Sequence, residues 1–349
     1  MIKIDDHTDV DLDVLAQQHY TNLIGLPLAD GINYHATQSL VGRIRKQRTI
    51  DAALPDLIRT DFWDYLLANN FANLIRLITS RPAILKDIIN EVDNMCGAGF
   101  FSNDIDYEEA TLTPFGEIVK SVFNYKLYRT KSECRENCEK LKLSYCPYCN
   151  EQVTQVVTGI NGLTGLAETM ALLQLDHFYP QSRHPYLSVS FFNLIPGCSP
   201  CNAQLKQEKR FDVTSHFNPF DKRLDDYFQF NLESVFLSKL TDVEISYANK
   251  LAYSDRALVD FKILSRYANI AHKRVIYKLY QALKNYSPKV NRSISQQIIG
   301  LFTTESKRRI LLDNYNIPLD KTKINEVQLG KLKRDITIQL GALQDESIT

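Results

Sequence analysis

The chain has 349 residues, 44% of them hydrophobic and 23% charged, with 41 basic side chains against 41 acidic ones. That balance excludes a disordered or low-complexity protein, and the lack of any apolar run near the roughly 18 residues that span a bilayer excludes a helical integral membrane protein. The N-terminus Met1-Ile2-Lys3-Ile4-Asp5-Asp6 carries neither the basic nor the apolar region of a secretory signal, so a cytoplasmic location is expected.

The first forty residues show no clear period, and Leu26-Pro27-Leu28 and Asp30-Gly31 mark turns. From about Asp51 the pattern is helical. Asp61 is a candidate cap for a segment carrying Phe62, Trp63, Leu66, Leu67, Phe71, Leu74 and Ile78. Pro82 suits the first turn of a helix over Ala83 to Met95, and Thr113 caps another that begins at Pro114. A further helix is predicted from Lys131 to Leu143.

At Tyr145 the character of the chain changes. Cys146-Pro147-Tyr148-Cys149-Asn150 and Cys198-Ser199-Pro200-Cys201-Asn202 are two Cys-x-x-Cys knuckles separated by 48 residues. Each presents two thiolates to one tetrahedral ion, so together they predict a structural zinc site formed by Cys146, Cys149, Cys198 and Cys201. The long spacing implies that the site clamps the ends of an embedded unit. Four of seven cysteines are thereby explained; Cys96, Cys134 and Cys138 are expected to be free thiols, although Cys134 and Cys138 fall on one helical face.

Inside the unit, Val153 to Val157 predicts a strand, Gly159 to Gly165 a glycine-rich connection, and Leu172 to His177 a second strand ended by Pro180. Beyond it, Tyr227 to Leu232 alternates as a strand does, with Val243 to Tyr247 as a possible partner. Helical spacing follows over Ala257 to Leu283, Ile294 to Phe302 and Ile324 to Leu340, punctuated by Pro288 and Pro318. Between Lys262 and Arg334, 16 Lys plus Arg face 4 acids, a bias that suits a polyanion-binding surface or a solvated helix face. No P-loop motif is present.

An Asp176-His177 pair ending an apolar strand, Asn193-Leu194 sixteen residues on, then Cys198-x-x-Cys201-Asn202 followed by Lys206 resembles the HNH, or ββα-metal, endonucleases over Tyr145 to Phe220. The fold class this implies is α+β: a mainly helical protein with an embedded ββα-metal unit clamped by a four-cysteine zinc site. The expected regions are a helical part over 1–130, the nuclease unit over 131–232 and a basic helical part over 233–349.

The residues suit the chemistry of phosphodiester hydrolysis. His177 can take a proton from water at neutral pH and is the general base the resemblance implies. Asp176 and Asn202 offer hard oxygen ligands to Mg²⁺ or Mn²⁺, and Asn202, standing where the family name has its last His, favours those ions over softer ones. Asn193 matches the family's middle Asn, implied to orient the catalytic loop. Lys206, four residues after Asn202, and Arg183 are candidate phosphate contacts; His184 and His216 are expected to be ordinary loop residues. The expected partner is nucleic acid, DNA before RNA. A looser resemblance, carried by the helical surround and Asn218-Pro219-Phe220, is to HNH proteins of bacterial anti-phage systems of the Septu type and its retron-associated relatives, which implies a separate ATPase partner. The competing class is a non-catalytic zinc module that binds nucleic acid or protein, for which a base and two oxygen ligands would have no use.

Overall fold

The computed structural model describes residues 1–28, 34–160, 162–250, 255–284, 287, 289–290 and 314–343. The predicted helix Ile294 to Phe302, the Asp30-Gly31 turn and Pro288 lie outside the described residues. Helices and small antiparallel sheets make the architecture α+β. The chain forms two compact units, each discontinuous in sequence: Thr8–Lys142 with Gln155–Asp221, and Met1–His7 with Leu143–Thr154 and Lys222–Thr349.

The first of these units opens with helix α1 (Leu12–Ile24), capped by Asp11 through the Asp13 and Val14 amides. Helix α2 (Leu40–Asp51) follows, then α3 (Leu57–Thr79). The cap of α3 is Asp56, five residues before the predicted Asp61, because the helix starts before its buried apolar stripe does. Left-handed backbone at Asn69, Asn70 and Phe71 (φ 50°, 54° and 67°) kinks α3, a conformation that asparagine tolerates better than most residues. Helix α4 (Pro82–Cys96) and the short strands β1 (Ser102–Asp104) and β2 (Ala110–Leu112) lead to α5 (Pro114–Phe123). Thr113 caps α5 as predicted, accepting from the Gly116 amide at 3.0 Å. Gly116 is required there, since a Cβ would strike the Phe101 carbonyl oxygen that receives the Thr113 amide. The short helices α6 (Tyr125–Thr130) and α7 (Ser132–Lys140) close this helical set.

Strands β3 (Gln155–Ile160) and β4 (Ala167–Leu172) form a hairpin, and the predicted glycine-rich connection begins inside it, with Gly159 in β3 opposite Glu168. Strands β5 (Gln174–His177) and β6 (Leu194–Gly197) pair antiparallel, with Asp176 opposite Ile195 and His177 opposite Leu194. A π-helical turn, Pro200–Lys206, follows β6 directly. An aromatic core braces the loop between β5 and β6: Phe62 packs edge-on to Trp63 and Phe101, each at 4.9 Å, and Phe101 meets Tyr186 at 5.1 Å. Such edge-to-face pairs add about 0.5–1.5 kcal/mol each beyond the area they bury.

In the other unit, β7 (Phe228–Leu232) pairs antiparallel with β8 (Ile245–Asn249), two residues beyond the predicted partner segment. Among the described residues it also holds helices α8 (Ala257–Asp260), α9 (Ile263–Tyr267), α10 (Ile270–Leu283) and α11 (Gly330–Gln339). Some of its basic side chains are buried or paired with acids. Lys331 is fully buried between Asp225 (2.6 Å) and Asp335 (2.8 Å), Arg334 is buried, and Arg266, Lys321 and Lys323 pair with Glu151, Asp226 and Glu326. Lys307, Arg308 and Arg309 lie outside the described residues. Among the described residues no helix is long and apolar enough to cross a membrane.

Candidate functional site

Two sites were expected, one of cysteines and one of oxygen and nitrogen donors. The Sγ atoms of Cys146, Cys149, Cys198 and Cys201 all lie within 4.8 Å of one another, and all four residues are buried. A tetrahedral zinc with Zn–S bonds of about 2.3 Å needs sulfurs about 3.8 Å apart, so the cluster could hold such an ion. Local sequence explains the geometry. At the first knuckle the Cys146 amide donates to the Gln152 carbonyl, the Asn150 amide donates to the Cys146 carbonyl at 2.7 Å, and Asn150 takes the left-handed conformation that closes the turn. The Asn150 side chain then donates to the Ile324 and Val327 carbonyls and accepts from the Lys331 amide. At the second knuckle the Asn202 amide donates to the Cys198 carbonyl, beginning the π-helical turn.

Asp176, His177 and Asn202 line one polar cleft of about 500 Å³. Strict alternation along β5 would send Asp176 and His177 to opposite faces, but the strand ends at His177, which frees both to reach the cleft. The His177 Nε2 lies 3.0 Å from the Ser188 carbonyl oxygen, which can only accept, so Nε2 carries the proton and Nδ1 is an acceptor. Burial pulls the imidazole down to about 4, against the Ser188 carbonyl and the Asp176 charge, which both raise it. The ring is therefore neutral at physiological pH, and Tyr125 packs edge-on to it at 4.5 Å.

Asn193 is fully buried and pins the loop that carries these groups. Its Oδ1 accepts from the Tyr179 amide at 2.7 Å, and its Nδ2 donates to the Tyr179 and Leu187 carbonyls at 3.1 and 3.0 Å. Asn193→Ala should leave three buried backbone groups without these partners and cost about 2–3 kcal/mol. Urea unfolding checks this, and an unchanged midpoint would show that the loop is held by other contacts. The Asn202 Nδ2 donates to Gln174 Oε1 at 3.3 Å, so its amide oxygen is the hard ligand atom it can offer.

Lys206 and Arg183 are placed differently from the phosphate contacts expected of them. Lys206 is 1% exposed; its ammonium pairs with Asp176 Oδ1 at 2.9 Å, donates to the His177 carbonyl at 2.6 Å and lies over the Phe211 ring. The turn that carries it is wound as a π-helix, with the Gln207 amide donating to Asn202 five residues back. Arg183 is also turned inward. It pairs with Asp104 and donates to the Asp106, Tyr107 and Glu109 carbonyls, tying down the 104–109 loop. His184 and His216 pack inside, His216 stacked on Phe211 at 3.9 Å and hydrogen-bonded to Tyr107, His184 to Tyr186.

Ser188, Gln174 and Tyr125, which fix His177 and Asn202, carry no signal legible in the sequence. Nor does it mark Lys120 and Gln181, which line both the main cleft and a second hollow of about 290 Å³ reaching Asn124 and Lys126. No protein-family model, curated protein or solved structure matches the chain.

Proposed function

We propose that this protein is a metal-dependent endonuclease of the HNH kind that hydrolyses phosphodiester bonds, in DNA before RNA. The observation that carries this is a single one: a neutral imidazole with a fixed tautomer shares a cleft with two hard oxygen ligands. In that role His177 Nδ1 takes the proton from the attacking water, while the Ser188 carbonyl holds the ring and disperses the charge it gains. Asp176 and Asn202 fit a hard divalent cation such as Mg²⁺ or Mn²⁺, which when bound would neutralise charge on the phosphoryl and leaving oxygens. Asn193 positions the loop, and Lys206 holds the Asp176 carboxylate in place. Lys126, exposed beside the cleft, and Lys120, half-buried and paired with Glu117, are the candidate contacts to the flanking phosphates. Zinc at the four cysteines has a structural part only. The looser likeness to anti-phage HNH proteins extends the proposal to a nuclease effector that acts beside a separate ATPase.

The test is cleavage of supercoiled plasmid and of structured RNA by the purified protein with Mg²⁺ or Mn²⁺, alone and with any co-purifying chain. Cleavage that a chelator stops is expected. One observation favours a second reading, a non-catalytic zinc-containing binding module: the Lys206 ammonium already occupies Asp176 Oδ1, where a cation would bind. Substrate binding without cleavage, in every metal and with every partner present, would decide for that module.

A further inference from the structure

Two of the three cysteines outside the four-sulfur cluster form a site of their own. Cys134 and Cys138 sit one turn apart on α7 and line one cavity. Both side chains are nearly buried, yet they line a cavity of about 230 Å³ together with Arg129 and Arg135. The Cys138 contact draws the Cys134 thiol below its ordinary range, and the Tyr128 hydroxyl and both guanidiniums act in the same direction, against burial. Cys96 is the contrast: burial beside Asp93 and Asp61 pushes its thiol up to about 12. Two guanidiniums disfavour a bound metal cation at the pair. They favour a thiolate and a small neutral oxidant whose leaving group departs as an anion.

We propose that Cys134 and Cys138 are a peroxide-oxidisable thiol pair, with Cys134 as the nucleophile and Cys138 as the resolving thiol. The Cys134 thiolate attacks one oxygen of hydrogen peroxide, the O–O bond breaks, and hydroxide leaves beside Arg129 and Arg135, giving a sulfenic acid. The Cys138 sulfur then attacks the Cys134 sulfur, the S–O bond breaks, and the hydroxyl departs as water with the Cys138 proton. Peroxide is reduced to two waters and two thiols are oxidised to one disulfide. Residues four apart on a helix hold their Cβ atoms about 5–6 Å apart, whereas a disulfide needs about 3.5–4.5 Å. Forming the bond must therefore deform α7, and a bond of that kind is readily reduced again. Helix α7 packs on β3 and β4, and Leu175, the residue before Asp176, lines the same cavity. The oxidised form is thus felt next to the oxygen-donor cleft. The proposal itself is chemical and stands whether or not that cleft is a nuclease site.

The experiment uses the full-length, zinc-loaded wild-type chain treated with hydrogen peroxide, alkylated and digested with trypsin. Cleavage after Lys131, Arg135 and Lys140 puts the two cysteines on separate peptides, so the bond is read as Ser132–Arg135 joined to Glu136–Lys140 and released by reductant. Cys134 should react about tenfold or more faster than Cys96. In Cys138→Ser, a near-isosteric change, dimedone should trap a sulfenic acid on Cys134, and in Cys134→Ser neither product should form. Oxidation of Cys134 no faster than of Cys96, or a linked peptide that appears only after zinc has been released, would overturn the proposal.

Discussion

Cys198→Ser is expected to lose its metal and to be largely unfolded at room temperature. Structural zinc sites contribute on the order of 10 kcal/mol, because the unfolded chain holds no preformed cluster and metal binding is therefore folding free energy. A domain's whole stability is about 5–15 kcal/mol, so the loss of one ligand consumes most of it. The first knuckle is also tied to residues distant in sequence. The Cys149 carbonyl accepts from the buried Tyr267 hydroxyl at 2.6 Å, and Asn150 binds the 324–331 backbone at four points. Wild type should carry one zinc per chain by elemental analysis. Cys96→Ser, which touches no ligand, should keep both its zinc and its melting temperature. A Cys198→Ser protein with wild-type zinc content and melting temperature would remove the cluster from the account of the fold.

What could be read in the sequence was local. The Thr113-Pro114 cap, Pro82 at the first turn of α4 and the alternation of Phe228 to Leu232 each depend on a few adjacent residues, and each appears near its predicted place. Helix α1 was not legible, because its buried face includes His19 and Tyr20 among Leu12, Leu15, Ala16 and Leu23. His19 is acceptable there only because its Nε2 meets the Val189 carbonyl, a partner 170 residues away. The division into units follows the same logic: stretches 1–7 and 143–154 belong with the C-terminal part, which no composition shift along the chain reveals. At the candidate site, the order Asp-His, Asn, Cys-x-x-Cys-Asn carried the resemblance that pointed to Asp176, His177, Asn193 and Asn202, because that likeness lies in a few local motifs. The fate of a cation is not carried by spacing. Lys206 and Arg183 look like surface phosphate contacts until packing supplies Asp176 to one and the 104–109 carbonyls to the other.

His177→Ala is expected to keep zinc, fold and substrate binding and to lose cleavage by about 10²- to 10⁴-fold, the usual worth of a general base. The fold should survive because the ring is half-buried and its one hydrogen bond to the protein, to the Ser188 carbonyl, is worth about 1 kcal/mol. Asp176 needs a gentler change. Alanine there would strand the buried Lys206 ammonium at a cost of about 3–5 kcal/mol and confuse unfolding with catalysis, so Asp176→Asn, which keeps the shape and an oxygen for Lys206, is the better probe. Both variants should be poor enzymes, for different reasons. Raising Mg²⁺ or Mn²⁺ should partly restore Asp176→Asn, whose ligand is weakened, and should do nothing for His177→Ala, whose base is absent. Added imidazole should have the opposite pattern. The wild-type pH profile gives an independent check: burial holds the imidazole near 4, so the acid limb should fall near pH 4 and not near the ordinary histidine value of about 6.5. Cleavage by His177→Ala equal to wild type would end the proposed chemistry. Rescue of both variants by metal alone would assign His177 to metal binding and leave the base to be found elsewhere in the cleft.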